Sequence, residues 1–205
     1  MRLWTEFMLV FVGGPLLVFL GVLPGHKILW LGAATAGCLL WLIVVQKLSM
    51  SQLLRLGPCP DLRGLLLRLV FVAALATALV LLMEPARLFS FPRTRPLFWL
   101  VVLLLYPPLS AFPQELIHRA FFFKRYQSLF GTGLGMSLAS AAAFSWLHVI
   151  YGNVPALLLS LAGGVVLAEV YRRNGSLFWT SVEHAGYGIL VFSIGLGRYF
   201  YGGPQ

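Results

Sequence analysis

Charge is scarce in this chain: only 10% of its 205 residues are Asp, Glu, Lys or Arg, against about 25% in an ordinary soluble domain. Water is therefore not its main solvent. Acidic side chains are rarest, six against fifteen basic ones, so each carboxylate needs a reason for its place. The two cysteines, Cys38 in an apolar run and Cys59 in a proline-flanked loop, have neither metal-ligand spacing nor disulfide-framework density, and no role is assigned to them. Also missing are the soluble zinc motif H-E-x-x-H, any internal repeat, any low-complexity stretch and any soluble second domain. The net charge of +9 comes from basic residues standing singly or in pairs between apolar runs. With no aromatic-basic groove or arm among them, nucleic acid is excluded as a partner.

What is present is apolar: 60% of the residues are hydrophobic. A run of about 20 such residues crosses a bilayer as a helix, because backbone N–H and C=O groups must pair with each other where no water reaches. The runs 7–24, 26–46, 65–83, 97–124, 133–151, 154–172 and 176–197 meet this description. The expected fold is all-α, a polytopic membrane bundle of about seven or eight helices. Pro107-Pro108 and Pro113 interrupt the fourth run, which predicts a break there and a new helix from about Phe112. The first run follows a single basic residue, Arg2, and lacks a small-x-small cleavage site, so it reads as a retained helix. With the N-terminus inside, eight basic residues fall on the cytoplasmic side and five on the other, a modest bias in the expected direction.

An ionisable group inside a bilayer costs about 2.5–3.5 kcal/mol on insertion scales, so each one in an apolar run is a functional candidate. The candidates are Glu115 with Arg119, His118, His148, Glu169, Glu183 and His184. Residues four apart share a helix face, so Glu115 can pair with Arg119 and Gln114 with His118. A helix starting near Phe112 would aim free amides and its positive end at Glu115, favouring the carboxylate. Counting inward from the basic pairs 124–125 and 172–173 puts Glu115 and His184 each about 15 Å deep, and His148 roughly 22 Å. One carboxylate and two imidazoles from three helices can thus converge. Such a set can bind a divalent metal such as zinc with a position left for water, or activate water with no metal. Both remain open, and both lead to hydrolysis.

These residues resemble the CaaX prenyl protease and bacteriocin-processing (CPBP, or Abi) family of intramembrane proteases. Its Glu-Glu-x-x-x-Arg motif is matched by Gln114-Glu115-Leu116-Ile117-His118-Arg119, followed by Phe121-Phe122-Phe123. Phe-x-x-x-His is matched by Phe144 to His148, and His-x-x-x-Asn in part by His184 to Gly188. The turn Tyr171-Arg172-Arg173-Asn174-Gly175-Ser176-Leu177-Phe178-Trp179 is similar to the family's lead into its last histidine helix. The resemblance covers roughly 97–197 and implies about eight membrane helices around a buried catalytic cavity. It divides the single membrane domain into N-terminal helices and loops, 1–96, and a family-like catalytic core, 97–205. Implied with it are an intramembrane endopeptidase with Glu115, His148 and His184 as catalytic residues, or as metal ligands if a metal is present. Gln114, Arg119, Phe144, Glu183 and Gly188 are the supporting residues.

Two positions depart from the family pattern. The glutamate with which the family activates water is Gln114 here, so Glu115 has to take the proton or the chain is inactive. The final asparagine is Gly188, for which Tyr187 or a backbone amide is the candidate replacement. The alternative function is therefore a non-catalytic membrane scaffold, a binding or immunity protein that keeps the protease fold. A haem protein with His148 and His184 as axial ligands is a third reading. The expected partners are a peptide or protein substrate reached in or near the bilayer, and lipid. The expected location is a bacterial cytoplasmic membrane, crossed several times.

Plainer roles exist for each candidate. Glu115 with Arg119 can be a structural ion pair, and His148 an interhelical hydrogen-bonding residue. His118 reads as structural and His26 as a loop residue without a role. Glu169 reads as a local ion pair with Arg172-Arg173, and Gly163-Gly164 as a site of close helix packing.

Overall fold

A computed structural model describes residues 1–57 and 61–200 of the chain; Cys59 lies outside them. Seven long helices dominate: α1 (Arg2–Phe19), α2 (Lys27–Val44), α3 (Leu62–Met83), α4 (Pro96–Arg125), α5 (Leu134–Tyr151), α6 (Val154–Asn174) and α7 (Leu177–Ile194). Among the described residues there is no strand. The first six are long and apolar enough to cross a membrane, and large apolar side chains such as Leu82, Leu97 and Leu104 lie exposed along them. The protein is an integral, multi-pass membrane helix bundle. The polar centre of α7 carries Glu183 and His184, and that helix instead packs against α3, α4 and α6.

Capping fixes where the core helices begin. Asn153 Oδ1 accepts from the amide of Ala156 at 2.9 Å to start α6, with Pro155 in the first turn. Gly175, at φ +64°, ends α6 in the left-handed conformation that costs glycine least. Ser176 then caps α7 by accepting from Trp179 N at 3.2 Å. His26, which the sequence left without a role, caps α2 through Nδ1.

The break expected near Phe112 is absent. α4 is one helix of 30 residues, and right-handed helical dihedrals persist through Pro107, Ala111 and Phe112. Two widened turns with i→i+5 bonding, Pro107–Ala111 and Leu116–Phe121, flank Pro113, and the first takes in Pro107 and Pro108. Such π-type turns accommodate an irregularity without ending a helix. No free helix end therefore faces Glu115. The two halves of α4 differ in environment: Pro96–Tyr106 has no buried residue, whereas all six of Leu116–Phe121 are buried.

Contacts near the helix ends group them into two layers. In one, Arg125 donates through Nε to Glu6 at 2.8 Å, and Ser176 Oγ to Leu56 O at 2.8 Å. In the other, Lys27 Nζ donates to Ile150 O at 2.6 Å, and Asn153 to Tyr199 O at 2.9 Å. Glu169 pairs with both Arg172 and Arg173, as its spacing predicts. Of the two packing glycines, Gly164 is the close one: a Cβ there would lie 3.1 Å from the Phe144 ring and 3.3 Å from the Ala141 backbone. Gly163 has open space beside it.

Glu84, just beyond α3, is held by Arg87 and Arg198, whose hydrogen bonds and charges lower its carboxyl below the usual range. A carboxyl depressed in the folded state stabilises it above the unfolded value of about 4.3, and that stability is lost as pH falls through the folded value. Glu84→Gln should therefore lower the melting temperature in detergent at neutral pH. The gap from the parent should close as pH drops well below about 4.3; a gap independent of pH would exclude the pairing.

Candidate active site

Three core helices supply the site. Glu115 comes from the buried half of α4, His148 from the last turn of α5, and His184 from the first half of α7. Equal depth counted along α4 and α7 becomes direct contact, with His184 Nδ1 and Glu115 Oε1 2.8 Å apart. The other carboxylate oxygen lies 3.1 Å from Arg119 Nε, with both side chains fully buried. This is a charge contact whose angle makes no hydrogen bond. Arg119 is held elsewhere: it donates to Ser140 Oγ at 2.8 Å and to the carbonyls of His118 and Gly164, and lies over the Phe144 ring at 5.2 Å. A fully buried guanidinium requires a counter-charge, so Glu115 is the anion of this pair.

That assignment fixes the imidazoles. A carboxylate accepts and does not donate, so a neutral His184 carries its proton on Nδ1 and leaves a lone pair on Nε2. His148 Nδ1 donates to Phe144 O at 2.8 Å, which likewise leaves Nε2 as an acceptor. The Phe144 ring packs against both, centred 4.8 Å from the ring of His148 and 5.4 Å from that of His184. His118 donates from Nδ1 to the backbone carbonyl of Gln114 at 2.9 Å, not to its side chain, and packs on Phe144.

A cavity of about 360 Å³ opens beside these groups. Gln114, Phe144, His148 and His184 line it, opposite apolar side chains of α3 and α6 such as Phe71, Leu75 and Val166. Glu115 is fully buried and not on the lining; its contact with the cavity runs through His184. Gln114 is on the lining. Its Nε2 donates to Ser110 Oγ at 2.8 Å, and its Oε1 is buried without a hydrogen-bond partner.

Among the described residues no group of three or more His, Cys, Asp or Glu side chains is placed to hold a metal ion. Glu115, His148 and His184 do not form such a group: Glu115 Oε1 is bonded to His184 Nδ1 and its other oxygen faces Arg119 Nε.

Several partners were not singled out by the sequence reading. Glu183 is bound by Arg68 of α3, with Nε and Nη2 donating at 2.6 and 2.9 Å. Tyr187, the candidate substitute for an amide at Gly188, donates to Glu183 instead. The hydroxyl at the site belongs to Tyr106, 3.1 Å from His184 Nε2.

Residues 95–190 match the family model described as Rce1-like, Type II CAAX prenyl endopeptidase Rce1-like. The match supports the resemblance of this segment to the CPBP family. No curated protein and no solved structure matches the chain. The CPBP match spans α4 to most of α7 and includes Gln114, Glu115, Arg119, Phe144, His148 and His184. The family it names is one of membrane proteases, and the matched segment is similar to it.

Proposed function

We propose that the chain is an intramembrane endopeptidase in which His184, held by Glu115, is the base that activates water. The observation that carries this reading is the 2.8 Å bond from His184 Nδ1 to Glu115 Oε1, which leaves Nε2 at a cavity between membrane helices. A water proton passes to His184 Nε2 as the water oxygen bonds to the scissile carbonyl carbon. The same proton then goes to the amine as the C–N bond breaks. His148 Nε2 accepts the water's second hydrogen and so orients it. The apolar wall from α3 and α6 suits a peptide or protein segment already in or near the bilayer.

A second reading, a non-catalytic scaffold that binds such segments, is favoured by Gln114. An amide stands where the resembling family has its water-activating glutamate, and its oxygen has no partner. The two readings separate in liposomes carrying a membrane-anchored fluorogenic peptide library. Under the endopeptidase reading the parent protein cleaves, and His184→Gln lowers turnover by about 10²–10⁴-fold. An inert parent beside a cleaving Gln114→Glu variant would establish the scaffold reading instead.

A further inference from the structure

Gly188 and Tyr106 occupy one shared volume. A Cβ at 188 would lie 2.2, 2.3 and 2.4 Å from Cε1, Cζ and the hydroxyl oxygen of Tyr106, so any larger residue there would evict the ring. Position 188 is one turn beyond His184 on the same face of α7, and the space it leaves open above the imidazole is filled from α4. Tyr106 is fixed there by an edge-on contact with Phe192, ring centres 5.4 Å apart, and by its hydroxyl 3.1 Å from His184 Nε2. With His184 neutral and protonated on Nδ1, the hydroxyl is the donor in that bond.

Nε2 cannot accept a water proton while the phenol occupies it. When water takes that place, a donor is released beside the reacting carbonyl. Of the other donors lining the cavity, Arg68 and Tyr187 are engaged with Glu183 and Ser160 with the carbonyl of Ala156, while Ser110 and Tyr151 make no hydrogen bond to His184 Nε2; Tyr106 is the donor held against it. Charge developing on the carbonyl oxygen requires a donor.

We propose that Tyr106 is a catalytic residue: its hydroxyl caps His184 Nε2 in the resting site and, on substrate entry, donates to the oxyanion of the tetrahedral intermediate. It supplies from α4 a donor that Gly188, having no side chain, cannot supply. No proton leaves the phenol; it makes a hydrogen bond as the water proton goes to His184. This proposal rests on the endopeptidase reading.

The test is Tyr106→Phe in the full-length protein in liposomes, on a membrane-anchored peptide that the parent cleaves. The ring, and with it the packing against Gly188, is retained. The expected result is a fall in kcat of about 10²–10³-fold with KM changed less than about threefold. Carbethoxylation of His184 by diethylpyrocarbonate, mapped by mass spectrometry, should quicken as the cap is lost. A variant with unchanged kcat, while the parent is active, overturns the role of Tyr106 alone. A parent that cleaves no library member overturns the endopeptidase reading, and this proposal with it.

Discussion

Arg119→Met is expected to destabilise the folded protein by about 3–5 kcal/mol, the cost of stranding one charge of a buried pair. Arg119 and Glu115 are both fully buried, and Arg119 also satisfies Ser140 Oγ and two backbone carbonyls from inside the bundle. Methionine fills a similar volume without the charge, so the loss reports the electrostatics more than a cavity. Reversible unfolding in mixed micelles measures it. The double variant Arg119→Met with Glu115→Met should recover most of the lost stability, since a pair replaced by apolar groups leaves nothing unsatisfied. That variant should be stable and inert. A single-variant loss below about 1 kcal/mol would mean that water reaches the pair.

Glu115→Gln should lower kcat by on the order of 10²–10⁴-fold, with substrate binding little changed. The substitution is nearly isosteric, but an amide can present N–H to His184 Nδ1. The imidazole proton then moves to Nε2, and the lone pair facing the cavity is lost. The measurement is steady-state kinetics with a parallel binding assay on an uncleavable peptide. A rise in KM at constant kcat would place Glu115 in substrate binding and remove it from the proton path.

Much of this arrangement was legible in the sequence. The apolar runs located the seven long helices, because backbone pairing in lipid leaves few other solutions. Counting 1.5 Å per residue from the basic pairs brought Glu115 and His184 to one level, and they touch. The proline break was misread because proline chemistry alone does not distinguish a broken helix from one that widens by a residue, as at Pro107–Ala111. Arg68 carried a usable signal: it is charged and lies inside the run 65–83, so the rule that singled out Glu115 applies to it equally. Tyr106 carried none, because a tyrosine at the end of an apolar stretch reads as an interface anchor. The role of Gly188 was equally hidden, since the empty space of a glycine gains meaning only from the residue that fills it, here one 82 positions earlier.

If the chain is the endopeptidase proposed, the length of α4 bears on where a substrate is cut. At 30 residues it measures about 45 Å, comparable with a bilayer including its headgroups, and basic residues collar it at Arg93 and Arg95 and at Lys124 and Arg125. Phosphates at both surfaces can hold those collars, so the helix acts as a ruler whose zero is the Arg125 end. Under the endopeptidase reading, the reacting groups would then keep a constant offset from one membrane face, and the bond a lipid-embedded peptide presents would be chosen by its depth as much as by its side chains.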